Sequence, residues 1–379
     1  MRVILISDTH TKKNIEFIYE YVKKKYLEWK PDLIIINGDV LGENEIREGY
    51  GFNYNKTLFL ASLNKTEILK SITQKAEILK SYVELYEKGL NNEEKELEFS
   101  SLIKEYMIER YNYLFDILKR FSEITKTLFN CGNYESPLQY NVLKELAFLL
   151  EIDENYLRKV ALLSNYRDIF KDFLAKFKDV KKLKYIGAFT SIENDLLIAG
   201  IPGFNPSSIP VDKMSEFQEK TAEELISTIK RQLGYVNKIL MLNQTQGKLT
   251  KDPFSFRPQS QAVRQFIEEL KQQKDRLKLK HKIFVQSYHH FMTTHFYYAS
   301  EFHFILNNSG VNNCLFNIID IGNKIDCYDV DPKKDKITKL KLYNYNLVDY
   351  NTPIERLALN YDNYEEIIKE RNLEGCYYM

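Results

Sequence analysis

Residues 2–8 read RVILISD and residues 32–39 read DLIIINGD. Each segment is a short apolar run that ends near an aspartate, and such runs are typical of strands buried on both faces of a sheet. Between them, residues 14–29 carry the apolar periodicity of an amphipathic helix. A strand, a helix and a strand at this spacing predict a βαβ unit with parallel strands. We therefore expect Asp8 and Asp39 at the same edge of the sheet, where ligands bind in such folds.

The composition is that of a globular protein. The chain has 379 residues, of which 44% are hydrophobic and 28% charged, and its net charge is +1. This balance does not favour nucleic acid as a partner. No apolar run reaches the ~18 residues that a membrane span needs, and the first apolar run is too short for a signal peptide. Four cysteines without CxxC spacing are expected to be reduced. We expect a cytoplasmic protein with no membrane segment.

The apolar pattern divides the chain into regions. Residues 43–127 carry two long helical patterns joined by a short turn, which predicts an inserted helical hairpin. Residues 1–42 and 128–345 are expected to form one α/β domain, in which residues 138–182 are mostly helical. Residues 346–379 are expected to form a C-terminal helical tail.

Further strands of the α/β domain are predicted from short apolar runs in the second half of the chain. The predicted strands are Lys184–Phe189, Asp195–Ile201, Lys238–Asn243, Lys282–Ser287, Phe302–Leu306, Cys314–Asp320, Lys324–Val330 and Ile337–Tyr343. Residues 212–236 and 260–278 are predicted to be helices between them.

Three side chains that can bind a metal follow the first two strands. Asp8 and His10 lie in SDTH at residues 7–10, and Asp39 lies in NGDV at residues 37–40. Carboxylate and imidazole together suit Mn, Fe, Zn and similar divalent ions. Each aspartate alone could instead cap the helix or loop that follows it. Both aspartates together, with the histidine, favour a metal site.

These segments resemble a known family. SDTH, NGDV and CGNYE at residues 131–135 are similar, in order, to the DxH, GDxx and GNH(D/E) blocks of the calcineurin-like metallophosphoesterases. The resemblance implies an α/β fold, a metallophosphoesterase-like two-sheet sandwich flanked by helices, with a large helical insertion. The resemblance covers roughly residues 1–42, 128–137 and 183–330.

The resemblance also implies a set of metal ligands. If SYHH at residues 287–290 corresponds to the family's GHxH block, the first metal has all four of its ligands. For the second metal, Asp39 and Asn133 remain, but Gln244 and Tyr288 occupy the positions of two family histidines. Amide and phenol groups are poor ligands for such ions beside imidazole. The implied metal ligands are Asp8, His10, Asp39, Asn133 and His290, together with His289 in a second alignment.

That second alignment stays open. It makes His289 the ligand of the fourth block, and His295 or His303 then stands in for the GHxH block. It keeps more histidines, but it places two blocks on one strand and leaves the apolar run 238–243 unexplained. In either alignment Tyr134 occupies the position of the family's proton-donating histidine.

The resemblance implies a metal-dependent phosphoesterase that uses one divalent ion rather than two. A phenol at position 134 is a weaker acid than imidazole at neutral pH. Phosphodiesters or activated phosphate esters are therefore expected as substrates in preference to alkyl monoesters. The alternative is a catalytically impaired protein that keeps the fold as a binding scaffold. Its protein partner, or a second copy of the chain, would then bind through residues 43–127.

Overall fold

The computed structural model describes most of the α/β domain and part of the region 43–127. The described residues are 1–9, 11–40, 93–132, 135, 166–203, 214–243, 261–272, 283–288, 295–300, 303–307, 314–340 and 342–344. None of the helices within these ranges is long and apolar enough to cross a membrane.

The described residues contain helices and strands in a mixed order along the chain. The helices are α1 (Lys12–Trp29), α2 (Glu93–Ile124), α3 (Tyr166–Ala175), α4 (Met214–Gln232) and α5 (Gln261–Gln272), with a short 3-10 helix at Lys176–Asp179. The strands are β1 (Arg2–Ile6), β2 (Leu33–Asn37), β3 (Thr127–Asn130), β4 (Leu183–Tyr185), β5 (Thr190–Glu193), β6 (Leu196–Ile201), β7 (Lys238–Asn243), β8 (Ile283–Tyr288), β9 (His295–Ser300), β10 (His303–Asn307), β11 (Phe316–Ile321), β12 (Ile325–Asp331), β13 (Lys336–Lys339) and β14 (Leu342–Asn344).

The described strands form two sheets of seven. Sheet A has the order β13-β12-β11-β1-β2-β3-β4, and sheet B has the order β14-β9-β10-β8-β7-β6-β5. In sheet A, β1, β2, β3 and β4 run parallel, and β11 pairs with β1 in the antiparallel sense. In sheet B, β6, β7, β8 and β10 run parallel. The mixed α/β architecture agrees with the fold that the sequence predicts.

Alternate residues of the strands face two different cores. Val3 and Leu5 of β1 pack with Leu196 and Ile198 of β6 in a core between the two sheets. Ile4 and Ile6 face the other way and pack with α1, α2 and α3 on the outer face of sheet A. A separate cluster covers the outer face of sheet B beneath α4 and α5. Burial on both faces explains why these strands read as continuous apolar runs.

The carboxyl ends of the central strands lie at one edge of the molecule. The Gly203 N–H donates to the Cys131 carbonyl at 2.8 Å, which joins the segments that follow β6 and β3. The Asn130 amide donates to the Ile201 carbonyl at 3.1 Å and ties the last residues of the same two strands. The carboxyl ends of β3 in sheet A and β6 in sheet B therefore meet, and we call this end of the two sheets the upper edge.

Helix α2 extends past this upper edge. Its Tyr113 hydroxyl donates to the Lys12 carbonyl at the start of α1. About two helical turns later along both helices, Arg120 donates to Glu20. The two helices are therefore parallel, and the part of α2 before Met107 lies beyond the first turn of α1. At 1.5 Å per residue, residues 93–106 project about 20 Å past the upper edge. The part of α2 from Met107 to Phe121 packs in the core of the α/β domain.

The structure corrects one strand prediction. Residues 337–343 were expected to form one strand, but β13 belongs to sheet A and β14 to sheet B. Between them Leu340 is buried, and its N–H donates to the Cys327 carbonyl at 2.9 Å. The chain changes sheet at this buried leucine. Strand β9 was not predicted from the sequence. The predicted tail 346–379 and the first helix of the predicted hairpin lie outside the described residues, so both stay predictions.

Candidate metal centre

Asp8 and Asp39 lie on adjoining loops at the upper edge. Strands β1 and β2 pair in parallel with Ile6 opposite Ile36, and the Asp8 N–H donates to the Gly38 carbonyl at 3.0 Å. Both aspartates have no exposed surface. The adjacency predicted from the two strand ends is therefore present in the backbone.

Both aspartates also have the same unusual backbone conformation. Each has a φ of 52°, in the left-handed region that residues with a Cβ atom rarely occupy. Such conformations cost free energy, so they persist where the surrounding contacts hold them in place, and they cluster at functional sites. Two of them on adjoining loops support a functional role for this edge.

Two glycines allow the loops after β2 and β3 to touch. A Cβ atom on Gly38, whose φ is 74°, would lie 2.2 Å from the Gly132 nitrogen. A Cβ atom on Gly132 would lie 2.1 Å from Oδ1 of Asp39. Both separations are far below van der Waals contact, so no side chain fits at either position. The glycines thus bring the Asp39 carboxylate against the backbone of the third motif.

A polar network holds the loop that follows β1. The Ser7 hydroxyl donates to Oδ2 of Asp8 at 2.7 Å, and the Thr9 hydroxyl donates to the Val40 carbonyl at 3.1 Å. The Asn14 side chain donates to the Thr9 carbonyl at 2.9 Å and accepts from the Cys314 thiol at 3.1 Å. The segment that surrounds His10 in the chain is therefore tied to β2, to α1 and to the start of β11.

Glu135 is a site residue that our reading of the sequence missed. Its Oε2 accepts the N–H groups of Asp39 at 2.9 Å and Gly132 at 2.6 Å, and its Oε1 accepts the N–H of Val40 at 2.7 Å. The side chain is 2% exposed. The signal was present in the sequence, because CGNYE carries an acidic residue at the last position of the family's third block.

Cys131 and its neighbours are unsuited to nucleophilic chemistry. The Cys131 sulfur lies 3.1 Å from the Tyr185 hydroxyl; Cys131 is fully buried and Tyr185 is partly buried. Burial raises the pKa of the Cys131 thiol and of the Tyr185 phenol. Reactive cysteines have a lowered pKa and access to solvent. Cys131, Cys314 and Cys327 are buried thiols, which agrees with the expectation of reduced cysteines.

Asp8 and Asp39 are the described side chains at the upper edge whose chemistry suits a divalent cation. Burying ionised carboxylates costs several kcal/mol unless other groups compensate their charge. The three N–H groups compensate Glu135, and a divalent cation would compensate Asp8 and Asp39. Within the described ranges, no three His, Cys, Asp and Glu side chains are grouped to hold an ion. Further ligands would have to come from positions outside those ranges, where His10, Asn133, Tyr134, His289 and His290 all lie.

The strand ends of sheet B meet the same edge. Ile201 pairs with Asn243, and Leu242 pairs with Ser287, so β6, β7 and β8 end level with one another. Gln244 and His289 are the next residues in the chain after β7 and β8. The run 238–243 forms a strand of its own, as the first alignment requires.

The two other histidines of the second alignment lie at opposite ends of the antiparallel pair β9–β10, because each is the first residue of its strand. His295 pairs with Asn307, which in turn pairs with Tyr288 at the upper edge. His303 pairs with Phe284 at the far end of β8, four residues or about 13 Å away along the strand. His303 is therefore removed from the edge that carries Asp8 and Asp39, whereas the backbone of His295 reaches it.

One of the comparisons with known proteins, the family match, agrees with the motifs. The calcineurin-like phosphoesterase family matches residues 1–79. No curated protein gives a significant match. Among solved structures, the chain is similar to GAP50, the anchor in the inner membrane complex of Plasmodium, with 10% identity, a TM-score of 0.40, and coverage of 95% of this chain and 94% of that one. The family match includes β1, β2 and both aspartates, and it supports the resemblance of this part of the chain to the metallophosphoesterases.

Proposed function

We propose that the protein is a metal-dependent phosphoesterase whose centre lies at the upper edge. One observation carries the proposal. Asp8 and Asp39 are fully buried on adjoining loops, both in the left-handed conformation, within the segment that matches the phosphoesterase family. A bound divalent ion would activate water and polarise a phosphoryl oxygen.

The chain's own residues would bind that ion and steady the substrate. Asp8 and Asp39 supply oxygen ligands, and we propose His10, Asn133, His289 and His290 as further ligands. Ser7 donates to Asp8 Oδ2 and thereby orients that carboxylate. We assign Tyr134 as the proton donor to the leaving group. Because a phenol is a weak acid at neutral pH, diesters and activated esters are the substrates that we favour.

We further propose that one ion suffices for binding, since Gln244 and Tyr288 replace two imidazoles of the second metal position. Restoring histidine at position 134 alone should then have little effect, because the second ion that positions the phosphoryl group is still missing. The triple variant Tyr134→His, Gln244→His and Tyr288→His should raise turnover more than the three single changes combined. A large gain from Tyr134→His alone would favour the second alignment.

The test of the proposed activity is hydrolysis of bis(p-nitrophenyl) phosphate with manganese. Asp39→Asn should lower kcat/KM by at least about 100-fold, because it removes a charged ligand. Asp172→Asn is the matched control, since Asp172 is exposed on α3. Equal activity in the wild type and Asp39→Asn would overturn the proposal.

A second candidate function is a binding scaffold. The observation in its favour is the projection of residues 93–106, about 20 Å of helix at 1.5 Å per residue, beyond the α/β domain. A partner that docks on this helix would protect it from proteolysis, and a wild-type protein that binds no manganese and hydrolyses no diester would favour this function.

A further inference from the structure

The carboxylate of Glu135 joins the two loops that surround Asp39. It accepts the N–H groups of Asp39 and Val40 from the loop after β2, and that of Gly132 from the loop after β3. A carboxylate is an acceptor at both oxygens, and hydrogen bonds from main-chain N–H groups to a charged acceptor are stronger than neutral ones. No neutral side chain of this size can accept at both ends.

These hydrogen bonds stabilise a backbone conformation around Asp39 that costs free energy. Asp39 has a φ of 52°, and the neighbouring Gly38 and Gly132 are in close approach. Aligning the N–H groups of Asp39 and Val40 on one carboxylate stabilises this turn and sets the direction in which the Asp39 side chain leaves the backbone. Without Glu135, both loops would be freer to relax away from each other.

Helix α2 holds Glu135 from the other side. The Tyr111 hydroxyl donates to the Glu135 carbonyl at 2.5 Å. Tyr111 is 5% exposed, and its ring stacks on Phe173 with 4.9 Å between the centroids. Burial keeps the pKa of Tyr111 well above its ordinary value, so the hydroxyl remains a donor. The contact joins the metal edge to the helix whose first turns project past it.

We propose that Glu135 is a positioning residue for Asp39, and that Tyr111 holds it in place from α2. The role rests on the proposed function, because positioning matters for catalysis only if Asp39 binds the ion. Glu135 binds neither the ion nor the substrate in this assignment. It acts through the main chain, by presenting the Asp39 carboxylate in the orientation that the ion requires.

The first test needs no metal. In Glu135→Gln the side-chain amide turns a donor toward N–H groups that need acceptors. We expect hydrogen–deuterium exchange in peptides that contain residues 38–40 and 131–132 to quicken by about 10-fold or more, while peptides of α3 and β6 keep their rates. Tyr111→Phe should quicken exchange in the same peptides, by a smaller factor.

The second test is a titration of the purified 379-residue chain with manganese, which measures the binding affinity. We expect Glu135→Gln to lower manganese affinity about 10–100-fold, in the range for groups that orient a ligand. Glu135→Asp should restore part of the affinity, because it keeps the carboxylate. Tyr113→Phe is the matched control on the same helix, since the Tyr113 hydroxyl donates to the Lys12 carbonyl and to Glu16 of α1. It should leave the affinity unchanged.

The outcomes separate the two proposals. Unchanged exchange at residues 38–40 in both Glu135→Gln and Tyr111→Phe would overturn the positioning role. So would an exchange increase spread equally over the whole chain, which would indicate a general loss of stability. If Glu135→Gln does not fold, Tyr111→Phe and Glu135→Asp decide the question by the same measurements. If the wild type binds no manganese, the proposed function fails, and the exchange pattern still decides whether Glu135 holds the loops.

Discussion

The two edges of sheet A are built from the same strands and differ in the burial and pairing of their charged side chains. At the upper edge, Asp8, Asp39 and Glu135 are buried carboxylates, and the first two have left-handed backbones. At the opposite edge, charged side chains are partly exposed and paired with one another. Arg2 forms two hydrogen bonds with Asp320, each of 2.7 Å, and Lys126 lies 2.6 Å from Glu193.

The difference shows where the chain departs from what stability alone favours. Exposed ion pairs contribute about 0–1 kcal/mol each and involve little strain. Buried carboxylates and left-handed aspartates cost free energy, and such departures are expected where function requires them. We therefore expect substitutions at the lower edge to change stability alone. Substitutions at the upper edge should change stability and metal binding together, and for Asp39→Asn with opposite signs.

The largest effect is expected for Gly132→Ala. The new methyl group would lie 2.1 Å from Asp39 Oδ1, so the loops after β2 and β3 must separate. We expect a loss of about 1–3 kcal/mol of unfolding free energy, measured in urea, and loss of manganese binding. Gly234→Ala is the control, because a Cβ atom there meets nothing within 4 Å. Equal stabilities of the two variants would show that the close approach is absent in solution.

Asp39→Asn should stabilise the metal-free protein while it impairs metal binding. The change removes a buried charge, and asparagine is more tolerant of the left-handed conformation than most residues. We expect the unfolding free energy without metal to rise by about 1 kcal/mol. Manganese should raise the melting temperature of the wild type more than that of the variant. A variant less stable than the metal-free wild type would mean that protein contacts alone balance the Asp39 charge.

A smaller effect is expected at the lower edge, where Arg2 meets Asp320. The two side chains are 37% and 30% exposed. A double-mutant cycle with Arg2→Met and Asp320→Asn should give a coupling of about 0.5–1 kcal/mol that weakens in high salt. Manganese affinity should be the same in all four proteins. A change in that affinity would contradict the separation of the two edges.

The smallest effect is expected for Asp335→Asn, on the stability of the protein at acidic pH. The Tyr21 hydroxyl donates to Asp335 at 2.5 Å and Lys25 lies 3.2 Å away, and these contacts lower the pKa of Asp335 below its ordinary value. A carboxyl group with a lowered folded-state pKa stabilises the fold above its unfolded-state pKa, and this contribution is lost as the pH falls through the folded-state pKa. Below a pH of about 4, Asp335→Asn should therefore lose stability less steeply than the wild type. Parallel curves from thermal unfolding would rule this out.

Some of this architecture could be predicted from the sequence and some could not. The strands that carry Asp8 and Asp39 were predictable, because burial on both faces leaves an unbroken apolar run. The role of Glu135 was not, since its hydrogen bonds depend on left-handed turns and on two glycines in contact. The change of sheet at Leu340 was also hidden, because a buried residue between two short strands reads as one continuous strand.

Metal content tests the central claim most directly. The wild type and Asp39→Asn would be saturated with manganese, freed of excess metal, and analysed for metal per chain, with Asp172→Asn as the control. We expect about one ion per chain in the wild type and the control, and almost none in Asp39→Asn, because one complete set of ligands is implied. Two tightly held ions in the wild type would contradict the single-ion proposal. Equal metal content in the wild type and Asp39→Asn would contradict the placement of the centre at the upper edge.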